Sequence, residues 1–267
     1  MLAGGTSSVR VQTGGAEEGC VRLPRRPREE DGVKILVGTS GFSYKEWKGS
    51  FYPDDLKSTD MLRYYAERFS CVEVNNTFYR MPKASVLEGW TAQVPSTFLF
   101  VLKASQQITH RKRLKEAAEP LDYLLRTASA LGERLGPLLF QLPPHLRKDL
   151  GRLNDFLSLL PEGREFAFEF RHESWADEDV HAALRGHNAA LVCADTEESG
   201  EGGAPIVPTA DWGYLRLRRC DYTSAELQPW AGRIRAQPWR RAFVFFKHEE
   251  GRPLGWEAIR RFKDELG

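Results

Sequence analysis

Residues 165–171 read Glu-Phe-Ala-Phe-Glu-Phe-Arg. Phenylalanine takes every second position, and small or charged residues take the others. Successive strand residues point to opposite faces, so Phe166, Phe168 and Phe170 share one face while Ala167, Glu169 and Arg171 share the other. The aromatic face needs cover. The other face starts small and ends charged, and His172-Glu173-Ser174-Trp175 follow at once. A barrel strand has this grading, with helices against one side, a packed lumen on the other and working residues at its C-terminal end.

Similar short runs recur on both sides of this segment. Upstream they are 33–38 (VKILVG), 71–76 (CVEVNN), 98–104 (FLFVLKA) and 137–142 (PLLFQL); downstream, 189–195 (AALVCAD), 213–218 (GYLRLR) and 242–247 (AFVFFK). Helical patterns fall between them. A helix capped by Ser58 or Thr59 runs through Phe69, and Pro120 opens another with Leu121, Leu124, Leu125, Ala128 and Leu131 as its buried stripe. Leu153, Phe156, Leu157 and Leu160 mark a third. Ser174 caps a fourth reaching about Arg185, and Trp256, Ile259 and Phe262 mark the last. Eight strands alternating with helices predict an α/β chain folded as a (β/α)8 TIM-type barrel.

The 267 residues match the size of one such domain, about 250 residues. Hydrophobic residues make up 41% and charged residues 28%, as in ordinary globular chains. Residues 1–32 lack periodic apolar positions and read as a disordered tail, leaving 33–267 as a single barrel domain. The net charge of +1 gives no global field toward polyanions, so any basic site is local. No apolar run is long enough for a membrane span. The four cysteines form no C-x-x-C pair, which suits a reducing cytoplasm.

Alternation also assigns the inward positions: Glu73, Asn75, Lys103, Gln141, Glu169, Arg171, Arg216, Arg218 and Lys247. Asp195 ends its run on the face of Leu191 and Cys193. These polar groups gather at the C-terminal ends of their strands, with five cations against three carboxylates. Such a mouth attracts phosphate, carboxylate or sulfate, and arginine's fork suits their bidentate capture. A buried salt-bridge network, with pairs such as Glu169–Arg216 or Glu73–Lys103, accounts for the same charges without a ligand.

The loops add candidates. Gly38-Thr39-Ser40-Gly41-Phe42 either turns backbone N–H groups toward a ligand or is a plain turn. Thr77, Phe78, Tyr79 and Arg80 either flank a ligand or cap the barrel. Glu169 is a candidate general base where burial raises its pKa, with Glu73 assisting. His172 is a candidate proton carrier, or a surface histidine. Trp175 covers the site or merely packs. No histidine spacing marks a zinc site and no cofactor is predicted; Mg2+ on Glu73, Glu169 and Asp195 is the one metal arrangement to weigh.

The segments VGTSGFSYKEWKGSFYP, VEVNNTFYRMP, LKAS, FQLPP and FEFRHESW, in this order, resemble the YecE-like family, domain of unknown function 72. The similarity runs from residue 34 to about 250. It implies a TIM-type barrel with a shared pocket and carries no reaction. Two departures stand out. The family's R-x-H-G at the seventh strand is Arg216-Leu217-Arg218-Arg219 here, and its paired asparagines after the eighth are Lys247-His248. Both add positive charge or a titratable group.

The expectation is therefore an enzyme, a hydrolase or lyase, acting on a phosphorylated or other anionic small molecule or on a nucleic-acid phosphate. Glu169, Glu73 and His172 are its candidate catalytic groups. Asn75, Thr77, Tyr79, Lys103, Gln141, Arg171, Trp175, Asp195, Arg216, Arg218 and Lys247 are its candidate binding groups. A non-catalytic anion-binding barrel is the first alternative and a glycosidase the second. The glycosidase needs two carboxylates about 5 or about 6.5–9.5 Å apart, and the excess of cations makes a neutral sugar less natural.

Overall fold

A computed structural model describes residues 32–200, 202–247 and 255–266. The expected tail, Gly32 apart, lies outside these residues, as does His248. The elements follow the order β1 (Lys34–Thr39), α1 (Met61–Ala66), β2 (Cys71–Val74), α2 (Ala84–Thr91), β3 (Leu99–Lys103), α3 (Ala118–Ala128), β4 (Leu135–Gln141), α4 (Leu150–Leu157), β5 (Phe166–Glu169) and α5 (Glu178–Gly186). Then come β6 (Ala190–Leu191), β7 (Cys193–Asp195), β8 (Trp212–Leu217), α6 (Ser224–Arg235), β9 (Arg241–Phe246) and α7 (Gly255–Leu266).

The fold is α/β, and every strand pairing is parallel. The ladders form two sheets, one in the order β1-β9-β8-β7 and one in the order β2-β3-β4-β5-β6. The run read as one strand at 189–195 is thus two short strands. The Val192 N–H still donates to the Phe168 carbonyl (2.9 Å), and pairing passes to β8 from Cys193 onward. At the other junction Ser40 forms a parallel bridge to Glu73, and the Gly41 N–H donates to the Glu73 carbonyl (2.8 Å). Gly38 permits this approach, since a Cβ there would meet the Cys71 carbonyl oxygen at 2.1 Å.

Side-chain parity sorts the core into two layers. Val72, Val74, Phe100, Leu102, Leu138, Phe140, Phe166, Phe168, Leu215 and Leu217 pack toward the helices. The Phe140 ring stacks on Phe168 at 5.3 Å and meets Phe156 of α4 edge-on at 5.1 Å. A second cluster joins residues of both sheets on their other face: Leu36, Cys71, Val101, Leu139, Ala167, Ala190, Val192, Trp212, Tyr214, Phe243 and Phe245. Its residues alternate with the first set, so the period-two reading holds for the strands on which it was made.

The helices depart from expectation at their ends. Ser58–Asp60 is a 3-10 turn and α1 stops at Ala66, short of Phe69. Ser174 does not cap α5. Its hydroxyl accepts from the Lys148 N–H (2.8 Å), and Asp177 caps instead, accepting from the Asp179 N–H (3.0 Å). Helices α2 and α6 were not among the expected helices, although α6 buries Leu227, Trp230, Ala231 and Ile234 at helical spacing. Leu87 is the one buried residue of α2, and Pro229 lies within α6, whose start is fixed by a Thr223–Glu226 capping box.

Candidate functional site

Five strands deliver polar side chains to one place beyond the inner apolar cluster. Glu73 comes from β2, Lys103 ends β3, Gln141 ends β4, Glu169 ends β5 and Arg216 is the penultimate residue of β8. Parallel strands point the same way, so C-terminal residues on the inner face must converge. Register puts Gln141 beside Glu169.

Arg216 is the centre of the cluster. Its Nη2 donates to Glu73 Oε1 at 2.8 Å and its Nη1 to Glu169 Oε2 at 2.5 Å. All three groups are buried. Glu73 also accepts from Ser40 Oγ (2.7 Å), Asn75 Nδ2 (3.0 Å) and the Tyr214 hydroxyl (2.6 Å). Glu169 accepts from Gln141 Nε2 (2.7 Å). That bond turns the Gln141 carbonyl oxygen outward, where Lys103 Nζ donates to it at 2.8 Å. Lys103 also lies 4.2 Å from the centre of the Phe78 ring.

Two further cations flank Glu169 at longer range. Arg218 Nη1 is 3.6 Å and Arg171 Nε 3.7 Å from its Oε1. Four cations therefore meet two carboxylates, and the short ion pairs use only Arg216. Asn75 Oδ1 and Arg216 Nε are buried without a hydrogen-bond partner.

Burial alone would raise both glutamate pKa values, but the Arg216 guanidinium outweighs it. Tyr214, Ser40 and Asn75 add hydrogen bonds at Glu73, and Arg218 and Gln141 reinforce the effect at Glu169. Both carboxyls are held below the ordinary value and stay ionised. The opposite holds for Lys103, which burial and the Arg216 charge pull down to about 8.

Several expected site residues belong elsewhere. Asp195 does lie on the Cys193 face, but that face packs toward the helices. Its carboxylate accepts from the Tyr222 hydroxyl (2.7 Å), Arg219 Nη2 (3.2 Å) and the Ala204 N–H (3.1 Å). Asp195 thus has partners apart from Glu73 and Glu169, and it is Arg216 that lies between those two carboxylates. Thr77 is buried and donates to the Lys103 and Val74 carbonyls (2.7 and 3.0 Å), so its hydroxyl fastens the β2 loop to β3. Trp175 is 2% exposed, stacks on Phe170 at 4.4 Å and donates to the Leu146 carbonyl (2.7 Å), so it packs. His172 Nδ1 accepts from the Ser174 N–H (3.1 Å) as the cap of a 3-10 turn. Tyr79 is 73% exposed and touches Phe78 edge-on. Lys247 follows β9 half-buried, its backbone N–H bonded to the Leu217 carbonyl (3.2 Å). Of the GTSGF turn, Thr39 Oγ1 donates to the Gly41 carbonyl (2.5 Å), and Ser40 serves Glu73.

The profile of the family described as "Protein of unknown function DUF72" matches residues 36–267. The chain belongs to the DUF72 family. A relative within the YecE group, the UPF0759 protein YecE of Escherichia coli K12, is 34% identical over 139 residues, which span 52% of this chain and 48% of the relative. The chain thus aligns with about half the length of that relative. The UPF0759 protein YunF of Bacillus subtilis 168 is 24% identical over 243 residues, 84% of this chain and 82% of that one. Among solved structures, a DUF72 protein of Thermotoga maritima MSB8 superposes with a TM-score of 0.75 at 28% identity, covering 87% of this chain and 99% of its own. A DUF72 protein of Enterococcus faecalis V583 superposes at 0.72 with 18% identity, covering 87% and 95%.

Two contributors to this site, Tyr214 and His110, escaped the sequence reading, and a third, Ser40, was given another role. Tyr214 is one step inward of Arg216 on the same strand face, and extending the alternation two residues back would have found it. Ser40 was read as a loop hydroxyl. His110 lies on a π-helical turn, Gln107–Arg111, and meets the Phe78 ring edge-on at 4.8 Å. Burial and the charges of Lys103, Arg171 and His145 lower its pKa. No strand parity could place it. Among the described residues, no group of three or more His, Cys, Asp or Glu side chains is placed to hold a metal ion, and no helix is long and apolar enough to cross a membrane.

Proposed function

We propose that the two sheets complete one (β/α)8 barrel, with β6 and β7 as a single interrupted strand, and that its C-terminal mouth binds a phosphorylated or otherwise anionic substrate. The observation that carries this reading is the charge imbalance: four cations face two carboxylates, and Arg216 alone satisfies both at short range. Lys103, Arg171 and Arg218 hold the anion. Asn75 and Gln141 orient it, and Glu73 and Arg216 form the fixed floor. Glu169 is the base. In the free protein it is a weak one, because it is ionised and well paired. An anion that draws Arg218 and Arg171 away removes two of its opposing charges and raises its basicity. Hydrolysis or elimination at a phosphoryl or carboxyl-bearing centre, including a nucleic-acid phosphodiester, fits such a site in a cytoplasmic protein.

Titration of the full chain with inorganic phosphate in a calorimeter tests the reading. Saturable binding is expected, weakened about tenfold or more by Arg218→Ala, since a hydrogen bond to a charged group contributes about 1.5–3 kcal/mol. Equal binding by Arg218→Ala, or none by the wild type, contradicts it. A non-catalytic binder is favoured by one observation, the hydrogen-bonded pairing of both carboxylates; it predicts that Glu169→Gln changes nothing but stability. The glycosidase reading is the less favoured, because the excess of cations beside Glu169 suits an anion better than a neutral sugar.

A further inference from the structure

We propose that Lys103 is an amine nucleophile that forms an imine with the carbonyl group of an anionic substrate. This rests on the anionic reading above and adds the class of compound, an aldehyde or ketone carrying a carboxylate or phosphate. The argument begins from position. Lys103 ends β3 at the polar rim, half-buried, with Nζ held between the Gln141 carbonyl oxygen (2.8 Å) and the face of Phe78 (4.2 Å). The chain Arg216–Glu169–Gln141–Lys103 fixes that orientation one bond at a time. Arg171 and Arg218 approach Glu169 Oε1 (3.7 and 3.6 Å), the same oxygen that Gln141 contacts, and so neighbour Lys103 where they can take the charged end of a ligand whose carbonyl reaches Nζ. Arginine cannot play the nucleophile, because it keeps its proton.

Electrostatics completes the case. Burial and the nearby Arg216 charge lower the Lys103 pKa to about 8, so near neutral pH the reactive amine is on the order of a hundredfold more populated than in an ordinary lysine. Lys148 has the contrary setting. It is ion-paired to Asp177 at 2.6 Å, and that bond raises its pKa.

In the step, the Nζ lone pair bonds to the carbonyl carbon and the carbonyl oxygen takes up a proton from solvent. That oxygen then leaves as water, and the nitrogen keeps one hydrogen. One amine, one carbonyl and one proton give one iminium and one water. The iminium then draws electrons from the adjacent carbon, as lysine-dependent elimination and carbon–carbon cleavage require.

The test treats the full chain with pyruvate, glyoxylate or acetone in the presence of cyanoborohydride, which reduces any iminium to a stable secondary amine, and maps the label by mass spectrometry. With the two anions, labelling of Lys103 is expected to outpace the exposed lysines about tenfold or more and to be half-maximal near pH 8. Lys103→Arg removes that label. Label spread over surface lysines, with Lys103 no faster, overturns the proposal without needing a variant. Phosphate binding without Lys103 labelling overturns the nucleophile and leaves the anion site standing. Acetone labelling Lys103 as fast as pyruvate overturns the anionic class.

Discussion

Arg216 neutralises Glu73 and Glu169 together, and among the described residues no other cation pairs with either carboxylate at short range. Replacing it by methionine leaves Glu73 without its cation and Glu169 with only the longer contacts of Arg218 and Arg171, a loss of about 3–5 kcal/mol in denaturant unfolding at pH 7. The pH dependence has a definite sign. Both glutamates have depressed pKa values in the folded state, so their stabilisation is present above the ordinary value of 4.5 and is lost as pH falls through the folded values. The deficit of Arg216→Met should therefore shrink below about pH 4.5, and an equal deficit at pH 7 and pH 3 would contradict the assignment. Parity found Glu73, Glu169 and Arg216 because each sits on a strand with a clear apolar side. It failed at Asp195, where 189–195 is apolar on both faces and alternation carries no sign.

Strands were more legible than their connections. The phenylalanines of β5 and the aliphatic residues of β4 announce their faces, whereas the division between β6 and β7 depends on which neighbour each half pairs with, a tertiary fact. Trp175 and His172 illustrate the loops. Their positions follow from a 3-10 turn and an Asp177 cap that the apolar pattern does not encode. The β3–α3 connection is less legible still, with Arg113, Leu114 and Glu116 all at positive φ after a π-helical turn. The junction of β1 and β2 gives a test at this scale. Gly38→Ala drives a Cβ against the Cys71 backbone and should cost about 1–3 kcal/mol, whereas Gly186→Ala, at the open end of α5, should be neutral or stabilise by about 0.4–1 kcal/mol. Equal thermal shifts for the two would show that the sheets do not meet as described.

Across the whole molecule the charge is nearly balanced, +1 in 267 residues, yet the strand ends concentrate an excess of cations in one buried neighbourhood. That contrast was visible from alternation alone. Hidden from it was how the charge is divided: a paired floor of Glu73, Glu169 and Arg216, and a rim of Lys103, Arg171 and Arg218 held to it only by longer contacts or through Gln141. Membership of DUF72 and the superposition on the Thermotoga protein agree with the parallel α/β architecture that creates this neighbourhood. The most direct measurement is a crystal structure grown with tungstate, located by its anomalous signal. An anion within hydrogen-bond distance of Arg218 and of Arg171 or Lys103, with the Arg216 pairs intact, is the predicted result. Tungstate bound only elsewhere, with Arg218 and Arg171 closed onto Glu169, would contradict it.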